Sequence, residues 1–376
     1  MRRKVGLTLG LCFAAGYVVA LLFVFQDHPI KLIRTDWIEA PGTIRQVYGN
    51  GLLQALLIEE SGSADFIDAD QTIRQTKLVP ASNDAHFLTG MLSPSGKVFL
   101  MDDRKVLYRW EQYGFMQTSK PLKVAGDVLE IAIEESRKLL WCAMMRHEPG
   151  PDALMIYAIN LENGKLIGSV NLEAHRGSVA FTASPSGEGV ILSTTDTPGA
   201  FFFKCPEKTI ESRFLDAGDL VNSALFEGTD VLTGLRSGAV ARFDTETGHL
   251  KQTYKTDYLP VSEIALANHQ LAIAHGDGKR DLGVGSLYLV DEETGAVGKG
   301  CGAKDRVTVC AGQDGFTPFV FGQRSGVIQV MTMKHGCQEV EASARSRPGA
   351  VHFIVSKWPT SLVVGSTRIE RIEFQQ

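Results

Sequence analysis

Along most of this chain, apolar and polar positions alternate in short runs, each ending in a turn rich in Gly, Pro, Ser, Asn or Asp. A period of two puts alternate side chains on opposite faces of an extended strand, so the pattern predicts an all-β chain. The clearest unit is 175–217: a run over Val179–Ala183, a Ser-Pro-Ser-Gly turn, and a run over Gly189–Ser193. A polar turn, the aromatic run Phe201–Lys204 and a last strand over Thr209–Leu215 complete it. The four-strand unit recurs over Thr43–Val79, His86–Val124, Val128–Leu172, Leu220–Lys255, Val261–Gly300 and Arg306–Ala342. In the sixth unit, Ala296–Gly300 is read as the fourth strand. Three strands remain at the C-terminus (AVHFIVSK, SLVVGS, RIERIEF), and one unpaired strand, Lys31–Ala40, stands near the N-terminus.

Turn landmarks keep phase with this repeat. Ser-Pro-Ser-Gly begins at Ser93 and at Ser184, 91 residues apart. Thr-Gly turns end at Gly248 and Gly295, 47 apart, and Arg-Ser-Gly ends at Gly238 and Gly326, 88 apart. All lie near multiples of a period of about 40–45 residues. With its His175-x-Gly-x-Val start, the 175–217 unit resembles a blade of a β-propeller, and specifically the degenerate WD-repeat pattern. Leu140–Gly168 is similar to repeats of lactonase-like propellers, and quinone-dependent dehydrogenases also use eight blades. The resemblance implies radially stacked four-stranded sheets that bury one another's faces. Seven full units plus three strands, with Lys31–Ala40 donated as the outer strand of the last blade, predict eight blades. Seven is the alternative if one unit is irregular. In WD-repeats the histidine joins a hydroxyl, an Asp and a Trp. His175 with Ser193 or Thr194 and Asp196 fits in part, but Phe203-Lys204 stands where the Trp belongs.

The N-terminus breaks the strand pattern. Val5–Phe25 holds 21 residues without a charge after Met1-Arg2-Arg3-Lys4. At 1.5 Å per residue this spans about 30 Å, the thickness of a bilayer core. The basic residues before it favour an N-terminus in the cytoplasm and export of the rest. Leu21–Gln26 offers no small-x-small cleavage site, so the segment is read as an uncleaved transmembrane helix rather than a signal peptide. The expected organisation is a cytoplasmic 1–4, an anchor at 5–25, a tether at 26–30 and a propeller over 31–376. The anchor belongs to the cytoplasmic (inner) membrane, and the propeller to its periplasmic or extracellular side.

Charge and chemistry narrow the function. A net charge of −5 with both signs interspersed argues against nucleic acid. The six cysteines show no C-x-x-C pair; Cys12 lies in the apolar N-terminal segment, and the five in the body are expected as buried free thiols, with a Cys301–Cys310 bridge as the alternative. Two loops between second and third strands are long, Arg146–Asp152 and His275–Gly285. They predict a polar binding face carrying Arg146, His147, Glu148, Asp152, His275, Asp277, Lys279 and Arg280. Gly276–Gly285 lacks the following helix a phosphate loop needs, and Asp277 with Asp281 lacks EF-hand spacing. No catalytic set, metal site or cofactor is expected. The favoured reading is a membrane-anchored scaffold that binds proteins, as a subunit of a membrane complex. A propeller enzyme of the lactonase-like or quinone-dependent kind, or a ligand-binding sensor subunit, is the alternative.

Overall fold

In the computed structural model, residues 31–375 are described apart from 81–83, 112–113, 118, 148–152, 173–177, 208, 277–284, 304, 314–315, 333–335, 341–349 and 358. They form eight four-stranded antiparallel sheets. The inner strands are Ile44–Asn50, Phe87–Leu92, Asp127–Glu134, Ser178–Ala183, Val221–Glu227, Val261–Ala267, Val307–Gln313 and Val351–Lys357. Each inner strand touches the next, and Val351–Lys357 touches Ile44–Asn50, so the ring is closed: an eight-bladed β-propeller.

Burial on both faces explains why the middle strands carry nearly continuous apolar runs. In Leu139–Arg146, Leu139, Trp141 and Ala143 pack toward blade four, while Leu140, Cys142 and Met144 pack toward blade two. In the last blade, Leu362 and Val364 face blade one, and Val363 faces blade seven. Among the described residues each of the eight blade interfaces has its own apolar cluster. A single blade exposes both of those faces and is stable only in company.

The inner strands share a device that the sequence does not announce. Every one carries a register shift near its start, where one residue is looped out: Arg45, Leu88, Leu129, Val179, Asn222, Ser262, Thr308 and His352. Such a bulge sharpens the local twist. Three looped-out side chains donate to the next blade at the residue before its own bulge. Arg45 Nη2 bonds the Phe87 carbonyl at 2.9 Å, Asn222 Nδ2 that of Val261 at 3.0 Å, and Thr308 Oγ1 that of Val351 at 2.6 Å.

Turn chemistry explains the landmark spacing. Asp244 Oδ1 accepts the Thr247 amide at 2.7 Å and its hydroxyl at 3.0 Å. Gly248 then takes φ of 76°, the left-handed region glycine enters without cost. Asp291 and Thr294 repeat the arrangement at 2.8 and 2.7 Å, before Gly295.

Lys31–Glu39 pairs antiparallel with Arg368–Gln375, from Lys31 opposite Gln375 to Glu39 opposite Arg368, and becomes the outer strand of the last blade. The strand count predicts this arrangement. The Arg368 guanidinium lies 4.3 Å over the Trp37 ring. Asp36 Oδ2 accepts the Ile73 amide of blade one at 2.9 Å, and Lys357 meets Asp70 at 2.8 Å across the same seam.

Two expectations are corrected. The outer strand of blade six is Cys301–Ala303, not Ala296–Gly300. Residues 296–300 instead prolong the turn, with one bridge between Val290 and Val297. A side chain on Gly300 would run into the Tyr288 ring at 2.2 Å, so that approach requires glycine. The cysteines also divide. Cys142, Cys205 and Cys310 are free and buried as expected, but Cys301 is disulfide-bonded. Its bridge is not to Cys310.

Candidate interaction face

The two ends of the strands give the ring two faces. One carries the turns between first and second and between third and fourth strands, here the turn face. The other, the crossing face, carries the turns between second and third strands and the crossings to the next blade. Crossings are pinned by a recurring backbone bond from the end of the second strand to the residue before the inner strand. It joins Glu60 to Thr43, Asp103 to His86, Arg236 to Leu220, Gly276 to Pro260, Arg324 to Arg306 and Ser366 to Ala350, all at 2.9–3.0 Å.

The strand ends that flank both long loops, Arg146 opposite Ala153 and Gly276 opposite Gly285, lie on the crossing face. Arg146 ends the second strand of blade three, opposite Ala153, and is half-buried. His147 follows it, exposed, with Nε2 3.4 Å from Asp127 Oδ2. Glu148 and Asp152 lie outside the described residues, as do Asp277, Lys279 and Arg280, and also His175. Of the WD-like set, Thr194 and Asp196 do meet, with the Thr194 hydroxyl 2.9 Å from Asp196 Oδ1.

His275 does not belong to the loop. It sits within the strand Gln270–Gly276, opposite Val261 and Ser286, and is fully buried. Nδ1 lies 2.8 Å from the Leu259 carbonyl, which can only accept, so Nδ1 carries the proton. Nε2 then accepts from the Thr256 hydroxyl at 2.8 Å. Burial pushes the imidazole pKa down, against the Leu259 bond and the Asp257 charge, and the ring is neutral. Both nitrogens are engaged, so His275 is a clamp on the crossing Thr256–Pro260.

That clamp has a visible product. Asp257 Oδ1 accepts the Tyr258 amide at 2.6 Å, and Oδ2 accepts the Ser286 hydroxyl. Burial opposes the Asp257 charge, but these bonds outweigh it and hold the carboxyl below its usual range. Gly238 of blade five closes in from the side: a Cβ there would stand 2.4 Å from the Asp257 carbonyl. The fixed crossing projects Tyr258 at 83% exposure, with the Lys255 ammonium 4.8 Å from its ring centroid. A large aromatic on a backbone already fixed adds no backbone ordering cost when a partner covers it. Sequence reasoning missed Tyr258. The available signal was Asp257 followed by Pro260, a turn-former and a rigid residue bracketing one aromatic.

No protein-family model matches the sequence, and no curated protein matches it. Solved structures do resemble the chain. One is BamB from Moraxella catarrhalis, with TM-score 0.63 and 12% identity over 91% of this chain and 100% of that one. A second is the computationally designed Ika8 protein, with TM-score 0.62 and 12% identity over 89% and 97%. A chain from the mitotic checkpoint complex has TM-score 0.53 and 11% identity over 93% and 94%. At these identities the likeness is one of fold.

Proposed function

We propose that this chain is a membrane-anchored propeller, held outside the cytoplasm, whose crossing face binds a protein partner in a membrane complex. The observation that carries the reading is Tyr258, exposed on a crossing fixed by His275, Asp257 and Ser286. On the same face the second strands of blades three and six end at Arg146 and Gly276, and exposed His147 belongs to the polar rim such a contact needs. Among the described residues no helix is long and apolar enough to cross a membrane, and the candidate anchor at 5–25 lies outside them. The anchor rests on its uncharged length and on the closing strand, which begins within six residues of Phe25. A disulfide at Cys301 supports an oxidising compartment. The checkpoint-complex chain, named for the assembly that contains it, lends the scaffold reading support through fold alone.

The test is co-purification from membranes in mild detergent. A stable partner is expected with the native chain, and Tyr258→Ala is expected to weaken capture at least tenfold, about 1.4 kcal/mol or more. Its melting temperature should be unchanged, because the ring buries little core area. Undiminished capture by Tyr258→Ala would move the interface off this face.

A further inference from the structure

We infer that the turn face is apposed to the lipid bilayer that holds the N-terminal segment, leaving the crossing face as the membrane-distal surface. The inference rests on the anchored reading above and adds the orientation of the ring to it.

Topology supplies the argument. The closing strand runs from Lys31, opposite Gln375, to Glu39, opposite Arg368. Arg368 directly follows the Ser366–Thr367 turn of the crossing face, and the Ala40 amide bonds the Thr367 carbonyl at 3.0 Å. Lys31 is therefore at the other end, on the turn face, beside the Pro359 carbonyl that accepts the Phe374 amide at 2.7 Å. Only residues 26–30 separate Phe25 from Lys31. Five residues span at most about 18 Å when fully extended. A chain arriving from the bilayer on so short a lead reaches the turn face first. Presenting the crossing face to the membrane would require the lead to run the height of a strand, about 20 Å for six residues, along the outside of the ring.

Exposed side chains do not choose the face by themselves. Among the described residues the large exposed apolar groups divide between the faces: Leu52, Leu166, Leu250 and Val297 sit at the turn-face ends of their blades, while Val79 and Tyr258 lie on the crossing face and Trp37 and Phe214 near it. Leu52 tips the first turn of blade one, while Leu166 and Leu250 open the outer strands of blades three and five. Val297 lies just past the Asp291–Gly295 turn of blade six. These four are spread around the rim rather than gathered in one patch. Such scattered groups give a flat apolar surface several points of contact, and the choice between the two faces rests on the closing strand.

The experiment uses the full chain in vesicles of phosphatidylethanolamine and phosphatidylglycerol, with a headgroup-attached acceptor dye. A donor is placed on Leu250→Cys or on Tyr258→Cys, which flank the same outer strand of blade five at its two ends. Cys142, Cys205 and Cys310 are buried, and the unsubstituted protein supplies the labelling background. Energy transfer from position 250 is expected to be about twice that from position 258, given the roughly 20 Å between strand ends. Equal transfer, or more from 258, in protein that floats with the vesicles overturns the orientation while leaving the anchor standing. Protein that fails to float overturns the anchored reading itself, and the orientation with it.

Discussion

A soluble form beginning at Thr43 is expected to unfold roughly 7 °C below one beginning at Asp27, a loss on the order of 5 kcal/mol. The difference is the strand Lys31–Glu39. Its removal deletes a hydrogen-bonded ladder along Arg368–Gln375 and the contacts of Ile38 with the cluster between blades eight and one. It also deletes the bond from the Ile73 amide to Asp36. The damage should reach the whole molecule, because this strand supports the seam where the first and last blades meet. Blade eight would be left with Arg368–Gln375 as an open edge, a template for pairing with other chains. Trp37→Ala should reproduce a small part of the loss, about 1 kcal/mol, through the Arg368 stacking. Equal midpoints in thermal scans of the two forms would contradict the shared last blade.

The second large effect lies between blades five and six. Arg242 is the hub of an ionic network: Nε is 2.7 Å from Asp230, Nη2 is 2.8 Å from Glu227, and Nη1 is 3.3 Å from Glu292. Lys251 bridges Asp230 at 2.6 Å and Asp244 at 2.8 Å. Burial, then repulsion from Glu227, pushes Glu292 up to about 7, with Arg242 pulling the other way. Replacing Arg242 by Ala removes the guanidinium that Glu227, Asp230 and Glu292 share, leaving only Asp230 its Lys251 partner, and should cost about 3 kcal/mol at pH 8. The sign with pH follows from linkage. Glu292 ionises at higher pH folded than unfolded, so its contribution favours folding below the ordinary 4.5 and is lost as pH rises through about 7. Without Arg242 that penalty grows, so the variant should recover much of its stability at pH 5. Adding Glu292→Gln should restore part of the loss at pH 8. Urea midpoints at the two pH values measure this, and a deficit of equal size at both would show that Arg242 acts through packing instead.

Much of the ring could be read from the chain because its turns are built locally. Asp244 with Thr247 and Gly248, and Asp291 with Thr294 and Gly295, are complete within five residues each, so their spacing reports the blade period directly. The closing strand was legible by arithmetic, as one strand short at one end and one spare at the other. What failed to show depends on neighbours distant in sequence. The outer strand of blade six was misplaced by a few residues because Gly300 packs on Tyr288, a contact no periodicity reveals. His275 precedes Gly276-Asp277-Gly278 and reads as loop, yet pairing with Val261 and Ser286 makes it strand and buries it. Tyr258 is a lone aromatic in a polar turn. Its exposure follows from His275, Gly238 and Ser286 closing on the backbone around it, each from a different strand or turn. The inner bulges were silent for the same reason: a looped-out residue is defined only against its partner strand.

The closure that joins the ring to the N-terminal segment is tested most directly by hydrogen exchange of the intact chain, read by mass spectrometry over 31–39 and 368–375. The slowest amides of both peptides should exchange at one common rate, matching that of the inner strand Val351–Lys357, because all of them open only when the last blade does. Exchange of 31–39 at the rate of an unstructured chain, with 368–375 still protected, would mean that the ring closes without its first strand.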